Sequence, residues 1–233
     1  MLDDLILSSR QYDRVLEGLV TTLQVLGTAF VIGVALSVVF GGARLSERRW
    51  IRGLALVYVE LARGISTIVL LFVMAFAIPI LTGFSQGEVF VLASIALGLN
   101  MGGYGAQILR GAILSVPKGQ TEASIALNLT STQRLRHVVL PQALRVILPP
   151  MGNLTIEILK GTALVSLVSL SDLTFEIDKL NTNRVLSDTP VETPVLFLNA
   201  LVIYFVIAQI INGAFRLTER WVEAKYEGKA VAA

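Results

Sequence analysis

Apolar residues gather along this chain into runs far longer than a strand or an ordinary core helix: Gly18–Gly42, Gly53–Leu81, Val89–Leu114, Ala143–Leu170 and Pro194–Phe215. A helix needs about 20 apolar residues to cross the hydrocarbon of a bilayer. In lipid an isolated segment satisfies all of its backbone groups only as a helix. The pattern therefore predicts an all-α integral membrane protein with about five transmembrane helices. The second run contains Glu60 and Arg63-Gly64. It is either one long tilted helix or two short ones, and six spans are the alternative.

Composition agrees with the pattern, since 54% of the 233 residues are hydrophobic, 15% are charged and the mean hydropathy is +0.72. Five spans leave no room for a second, soluble domain. Cysteine is absent, which excludes disulfide and thiol chemistry. The acidic start, MLDDLILSSRQYDRVLEG, lacks the basic region and cleavage site of a signal peptide. With five spans the charges sort by side. Segments 43–52, 113–149 and 216–233 hold 12 Lys/Arg against 5 Asp/Glu, whereas 1–17, 82–88 and 171–194 hold 4 against 10. Basic segments stay cytoplasmic, so the N-terminus is expected outside and the C-terminus in the cytoplasm. The layout expected is an extracytoplasmic segment 1–17, a membrane domain 18–225 with a cytoplasmic loop 113–142, and a cytoplasmic tail 226–233.

That loop contains VPKGQTEASIALNLTSTQRLRHVVLP at positions 116–141. Pro117 suits the first turn of a helix, and Glu122 is placed where the helix dipole favours an anion. Ala123, Ala126 and Leu127 form an apolar patch, and Asn128 is the non-glycine residue best able to close a helix in the left-handed conformation. Thr130 and Gln133 have capping-box spacing and open a second helix with Leu135, Val138 and Val139 on one side, which Pro141 is expected to stop. The first helix is too short to be stable alone. The segment is thus either an amphipathic hairpin on the membrane surface or a docking element for a cytoplasmic partner.

The loop resembles the cytoplasmic signature of permease subunits of bacterial ABC importers: Glu-Ala-Ala, three residues, Gly, nine residues, Ile-x-Leu-Pro. Here it stands as Glu122-Ala123-Ser124, Asn128 and Val138-x-Leu140-Pro141, with the spacing intact. VELARG (59–64), YGAQILRGAILSVPKGQTEA (104–123) and LPQALRVILPPMGNLTIEILKGTALVSLVSL (140–170) are similar to the polar amino acid branch of that family, and KGTALVSLVSLSDLTF resembles its ectoine and hydroxyectoine permeases. Two departures stand out. The family's proline after Arg-Gly-Thr is missing from Arg63-Gly64-Ile65-Ser66-Thr67, which weakens the expectation of a sharp break, and Gln107 replaces a frequent Glu.

The resemblance implies a type I ABC importer-like permease that pairs with itself or with a paralogue. Two ATPase subunits lie underneath, and a solute-binding protein delivers substrate from outside. Gly119, Glu122, Ala123, Ser124, Asn128 and Pro141 would form the ATPase-coupling element. No Gly-x-x-x-x-Gly-Lys-Ser/Thr loop is present, so ATP and magnesium would be held by the partner ATPase, with no cofactor on this chain. Expected surroundings are the lipid of a bacterial cell membrane, with no nucleic acid.

Ionisable residues in spans usually face a cavity or a partner. Arg110, near a cytoplasmic end, is expected to snorkel. Glu60 and Arg63, three apart, either pair with each other or touch substrate. Asn153, Glu157 and Lys160 fall at i, i+4 and i+7 on one helix stripe. Either Glu157 and Lys160 pair structurally, or the stripe lines the translocation path. In the second case Glu157 faces the cation of a zwitterionic solute, and Arg63 or Lys160 its carboxylate, with Tyr104, Gln107 and Thr162 nearby. Met101, Gly102, Gly103 and Gly105 read as packing residues. His137, the only histidine, is assigned no metal. Residues 171–193 read as a solvated outer loop, with contact to the binding protein as the alternative. The competing function is a stand-alone secondary transporter or channel for small polar solutes, but no internal repeat is seen. An integral-membrane enzyme is disfavoured, because no His, Cys or carboxylate cluster has ligand spacing.

Overall fold

The computed structural model describes residues 9–83, 88–183 and 192–230. Residues 1–8 of the N-terminal segment, 84–87, 184–191 of the outer loop and 231–233 of the tail lie outside the described residues. Regular structure among the described residues is entirely helical. The helices are α1 (Ser9–Ala43), α2 (Arg49–Gly64), α3 (Thr67–Phe72), α4 (Ile78–Thr82), α5 (Val89–Leu114), α6 (Lys118–Ala126), α7 (Ser131–Arg134), α8 (Leu140–Thr162), α9 (Leu173–Asn183) and α10 (Thr193–Ala230).

Among the described residues four continuous stretches are long and apolar enough to cross a membrane: Gln11–Ala43, Val89–Leu114, Ser131–Val168 and Thr193–Lys225. Arg49–Gly64 and Thr67–Thr82 together make a fifth if counted as one interrupted span. The five apolar runs thus correspond to the observed spans, but the helices overrun them. α1 starts nine residues before Gly18, and α10 continues well past Phe215. Periodic apolar positions mark where a helix meets lipid or core, not where its backbone ends.

The second run is broken despite lacking the proline. Helix ends at Gly64, and Ser66, with φ −59° and ψ 131°, opens α3 from an extended conformation. Two other prolines act differently. A π-helical turn, Val73–Ala77, precedes Ile78-Pro79, and another, Leu135–Val139, precedes Leu140-Pro141. In each the N–H of the residue before proline donates to the carbonyl five residues back, Val73 or Leu135. Proline lacks an N–H, and its ring crowds the carbonyl four residues earlier. The wider turn makes room for it. Pro141 therefore does not stop the second loop helix. That helix runs unbroken into the fourth span, which the sequence placed from Ala143 onward.

The chain folds as two compact units, Met1–Ile32 with Ile65–Asn100 and Glu157–Gln209, and Gly33–Gly64 with Met101–Ile156 and Ile210–Ala233. The first unit has a core of Val15, Leu173, Ile177, Leu196 and Ala200, extended by Leu180, Ile203 and Tyr204. It is pinned by polar contacts. Thr22 Oγ1 donates to the Gly18 carbonyl at 3.0 Å and accepts from the Leu173 N–H at 3.0 Å. Gly18 lies so close to the chain that an added Cβ would sit 2.8 Å from the Asp172 carbonyl oxygen. Asp172, fully buried, caps α9 by accepting from the Thr174 and Phe175 N–H groups at 3.2 and 2.9 Å, and Tyr204 Oη donates to it at 3.4 Å. Burial pushes the Asp172 carboxyl above the usual range, against the pull of those backbone donors. Residues 171–183 are therefore no loose loop: α9 buries Leu173, Glu176 and Ile177. Its apolar positions recur with helical period, but so short a stretch between turn residues reads as a loop.

In the second unit the small residues of α5 let its neighbours close in, as the sequence indicated. A Cβ on Gly102 would fall 2.5 Å from Tyr58 Oη and 2.6 Å from Leu36 Cβ. Met101 is fully buried. Ser37 donates to the Gly33 carbonyl at 2.6 Å, and Phe40 stacks on Tyr58 with ring centroids 3.9 Å apart.

Candidate functional site

Each unit carries part of the predicted polar set. In the first, a cavity of about 260 Å³ is lined by Thr67, Asn100, Glu157 and Lys160, with Leu97 and Leu164 as apolar wall. Glu157 and Lys160 are both exposed on α8, and no ion pair joins them among the described residues. The structural-pair alternative for this couple is therefore not realised. The cavity presents an anion and a cation on adjacent turns, a donor and acceptor array for a small solute carrying both charges. Thr162 does not join it: the residue is fully buried, and its hydroxyl donates back to the Leu159 carbonyl at 2.6 Å. Thr67 and Asn100 escaped the sequence reading. Asn100, buried at 6% exposure inside an apolar run, was the available signal.

In the second unit Arg63 is engaged on two sides. Its Nη1 lies 3.9 Å from Glu60 Oε1, and its guanidinium sits 5.4 Å from the centroid of the Tyr104 ring. Tyr104 Oη donates to the Arg63 carbonyl at 3.5 Å. Gln107 is also occupied, because its Oε1 accepts from Arg44 Nη1. Arg44, just past α1, has its affinity for a proton lowered by partial burial and by the like charge of Arg110. Asn153 is exposed on α8, one turn before Glu157.

The loop hairpin is built from capped ends. Pro117 is the N-cap of α6 rather than a first-turn residue, and Glu122 lies beyond the first turn, where the dipole contributes little. Asn128 adopts φ 55°. Its N–H donates to the Ile125 carbonyl at 2.8 Å and the Leu129 N–H to the Ser124 carbonyl at 3.0 Å, the paired bonds of a Schellman turn. Asparagine thus makes the turn glycine would make. The Thr130–Gln133 capping box is formed on both sides, with Gln133 N–H on Thr130 Oγ1 at 3.3 Å and Thr130 N–H on Gln133 Oε1 at 2.9 Å. Ser124 is buried, whereas Gly119, Glu122, Ala123 and Ala126 are exposed. Ile125, Leu127 and Leu135 are 55%, 74% and 47% exposed. A backbone fixed at its central turn while apolar side chains face outward suits a preformed docking element.

Lipid-length helices joined by short polar links, with charged residues inside the spans, define a multi-span membrane transport subunit. The chain belongs to the family of binding-protein-dependent transport system inner membrane components, whose pattern matches residues 29–224. It is 40% identical over 209 residues to a probable amino-acid ABC transporter permease of Sinorhizobium fredii, covering 86% of this chain and 85% of that one. Against an L-cystine transport system permease of Bacillus subtilis, identity is 33% with 87% and 84% covered. A crystal structure of an amino acid ABC transporter with histidines superposes with a TM-score of 0.80 at 29% identity, covering 91% of this chain and 95% of that one. An inward-facing methionine ABC transporter shares the fold, with a TM-score of 0.73 at 20% identity, over 93% and 99% of the two chains.

Proposed function

We propose that this permease imports a polar amino acid or a related zwitterionic compatible solute, such as ectoine, in an ABC importer. The observation that carries the substrate reading is the unpaired Glu157 and Lys160 on one cavity wall. Glu157 receives the solute's cationic group and Lys160 its carboxylate, with Asn100 and Thr67 as neutral partners. Arg63 and Tyr104, with Gln107, form a further station on the path. Relatives that carry L-cystine and other amino acids support this class of cargo.

Energy arrives from outside the chain. Two cytoplasmic ATPase subunits, holding ATP and magnesium, receive the α6 hairpin through Gly119, Glu122, Ala123 and Ser124. Asn128 sets the turn between its two helices, and Pro141 lies where the second of them continues into the fourth span. The permease works as a homodimer or beside a paralogue, with a solute-binding protein on the extracytoplasmic face. The N-terminus is outside and the C-terminus cytoplasmic, following the arginine and lysine distribution. The continuous helix from Ser131 to Val168 supports the coupling, since it ties the hairpin to the span that bears Glu157 and Lys160. Glu122→Lys should leave the complex assembled and lower substrate-stimulated ATPase activity and uptake. Normal coupled transport by that variant excludes the role.

A further inference from the structure

The end of α1 and the last turns of α5 bring together two guanidinium groups that form no ion pair with an acid among the described residues. Arg44 is anchored by its hydrogen bond to Gln107. Gln107 and Arg110 lie three apart on α5, hence on one face, so the anchored Arg44 is laid beside Arg110. The depressed proton affinity of Arg44, caused first by burial and then by Arg110, agrees with that placement. Glu60 is the acid within reach, and it already faces Arg63 at 3.9 Å. Arg44 rests on the neutral amide of Gln107 with the like charge of Arg110 near it, at a cost that grows as water is excluded.

The same unit offers exposed apolar surface on α2. On α2, Ala55, Val59 and Ala62 face inward. Trp50, Leu54, Val57 and Leu61 recur at i, i+4, i+7 and i+11 and are 63%, 64%, 57% and 56% exposed. Arg48, Arg49 and Arg52 flank the tryptophan. A tryptophan among arginines at the head of an apolar stripe is the arrangement of a membrane–water interface. Basic pockets between helices on the cytoplasmic side take anionic lipid headgroups.

We propose that Arg44 and Arg110 bind the phosphate of an anionic phospholipid of the cytoplasmic leaflet, and that the exposed α2 stripe carries its acyl chains. The proposal rests on the orientation given above, with the end of α1 in the cytoplasm. Charge complementarity selects this occupant over a second copy of the chain, which would bring the same two arginines. A substrate carboxylate lacks the tails that the stripe would cover.

The test uses the complete importer in nanodiscs of phosphatidylcholine alone or with phosphatidylglycerol, reading retained lipid by native mass spectrometry. Phosphatidylglycerol should be retained preferentially. Arg44→Gln with Arg110→Gln should weaken that preference by about fivefold for each arginine removed, while Arg44→Lys with Arg110→Lys keeps most of it. An unchanged preference in the Gln pair overturns the proposal. So does equal displacement of the lipid by inorganic phosphate or by substrate. The readout is bound lipid rather than uptake, so such a result with coupled transport intact leaves the permease reading standing. A C-terminal tag labelled only from outside the cell would instead overturn the orientation.

Discussion

Glu60–Arg63 and Glu157–Lys160 are the same couple on paper, an acid followed three residues later by a base on a helix of the membrane domain. The structure uses them in opposite ways. Arg63 faces Glu60 and lies over Tyr104, whereas Glu157 and Lys160 stand apart and line a cavity. The difference comes from the third partner. An aromatic ring on α5 holds the Arg63 guanidinium in place, and among the described residues no ring contact of that kind holds Lys160. Charges engaged with each other already have a partner, and charges left facing a cavity are free for a solute.

The sharpest way to break this comparison is at Glu157. A hydrogen bond to a charged group contributes about 1.5–3 kcal/mol, so Glu157→Gln should lower uptake by about tenfold or more, with assembly unchanged on size exclusion. Lys160→Gln should act similarly and shift preference away from solutes with a carboxylate. A smaller effect is expected at the hairpin turn. Asn128→Val forces a β-branched residue into positive φ, and about 1–2 kcal/mol of local stability should be lost. Asn128→Gly should be neutral. Limited proteolysis of the hairpin and substrate-stimulated ATPase activity both report it.

Asp172 supplies a pH prediction. Its carboxyl is raised by burial, so its contribution to stability is complete below the ordinary carboxylate range and is lost as pH rises through the folded value. Amide-exchange protection of α9 should therefore grow on acidification from neutral pH. Asp172→Asn, which still caps the helix, should flatten that dependence. The smallest effect belongs to Glu60→Gln. The pair is well exposed, with side-chain exposures of 34% and 60% for Arg63 and Glu60, and such pairs contribute about 0–1 kcal/mol. Thermal stability should barely move.

The sequence made the spans, the Asn128 turn and the Thr130–Gln133 box legible, because each depends on residues close in the chain. What it could not show depends on partners far along it. Identical spacing hid the contrast between Glu60–Arg63 and Glu157–Lys160, since Tyr104 is 41 residues from Arg63. Arg44 meets Gln107 across a separation of 63 residues. Thr162 stands near the stripe in sequence though off it, and its hydroxyl folds back on its own helix. Pro141 reads as a stop in the residue pattern, because the π turn that accommodates it leaves no mark there.

The most direct test sets the two couples side by side. Glu157→Gln and Glu60→Gln are each placed in the complete importer, and initial uptake of labelled substrate into proteoliposomes is measured with its competition profile. The account predicts a large loss and an altered profile for Glu157→Gln, with near-normal uptake for Glu60→Gln. Unchanged uptake and preference in Glu157→Gln would contradict it.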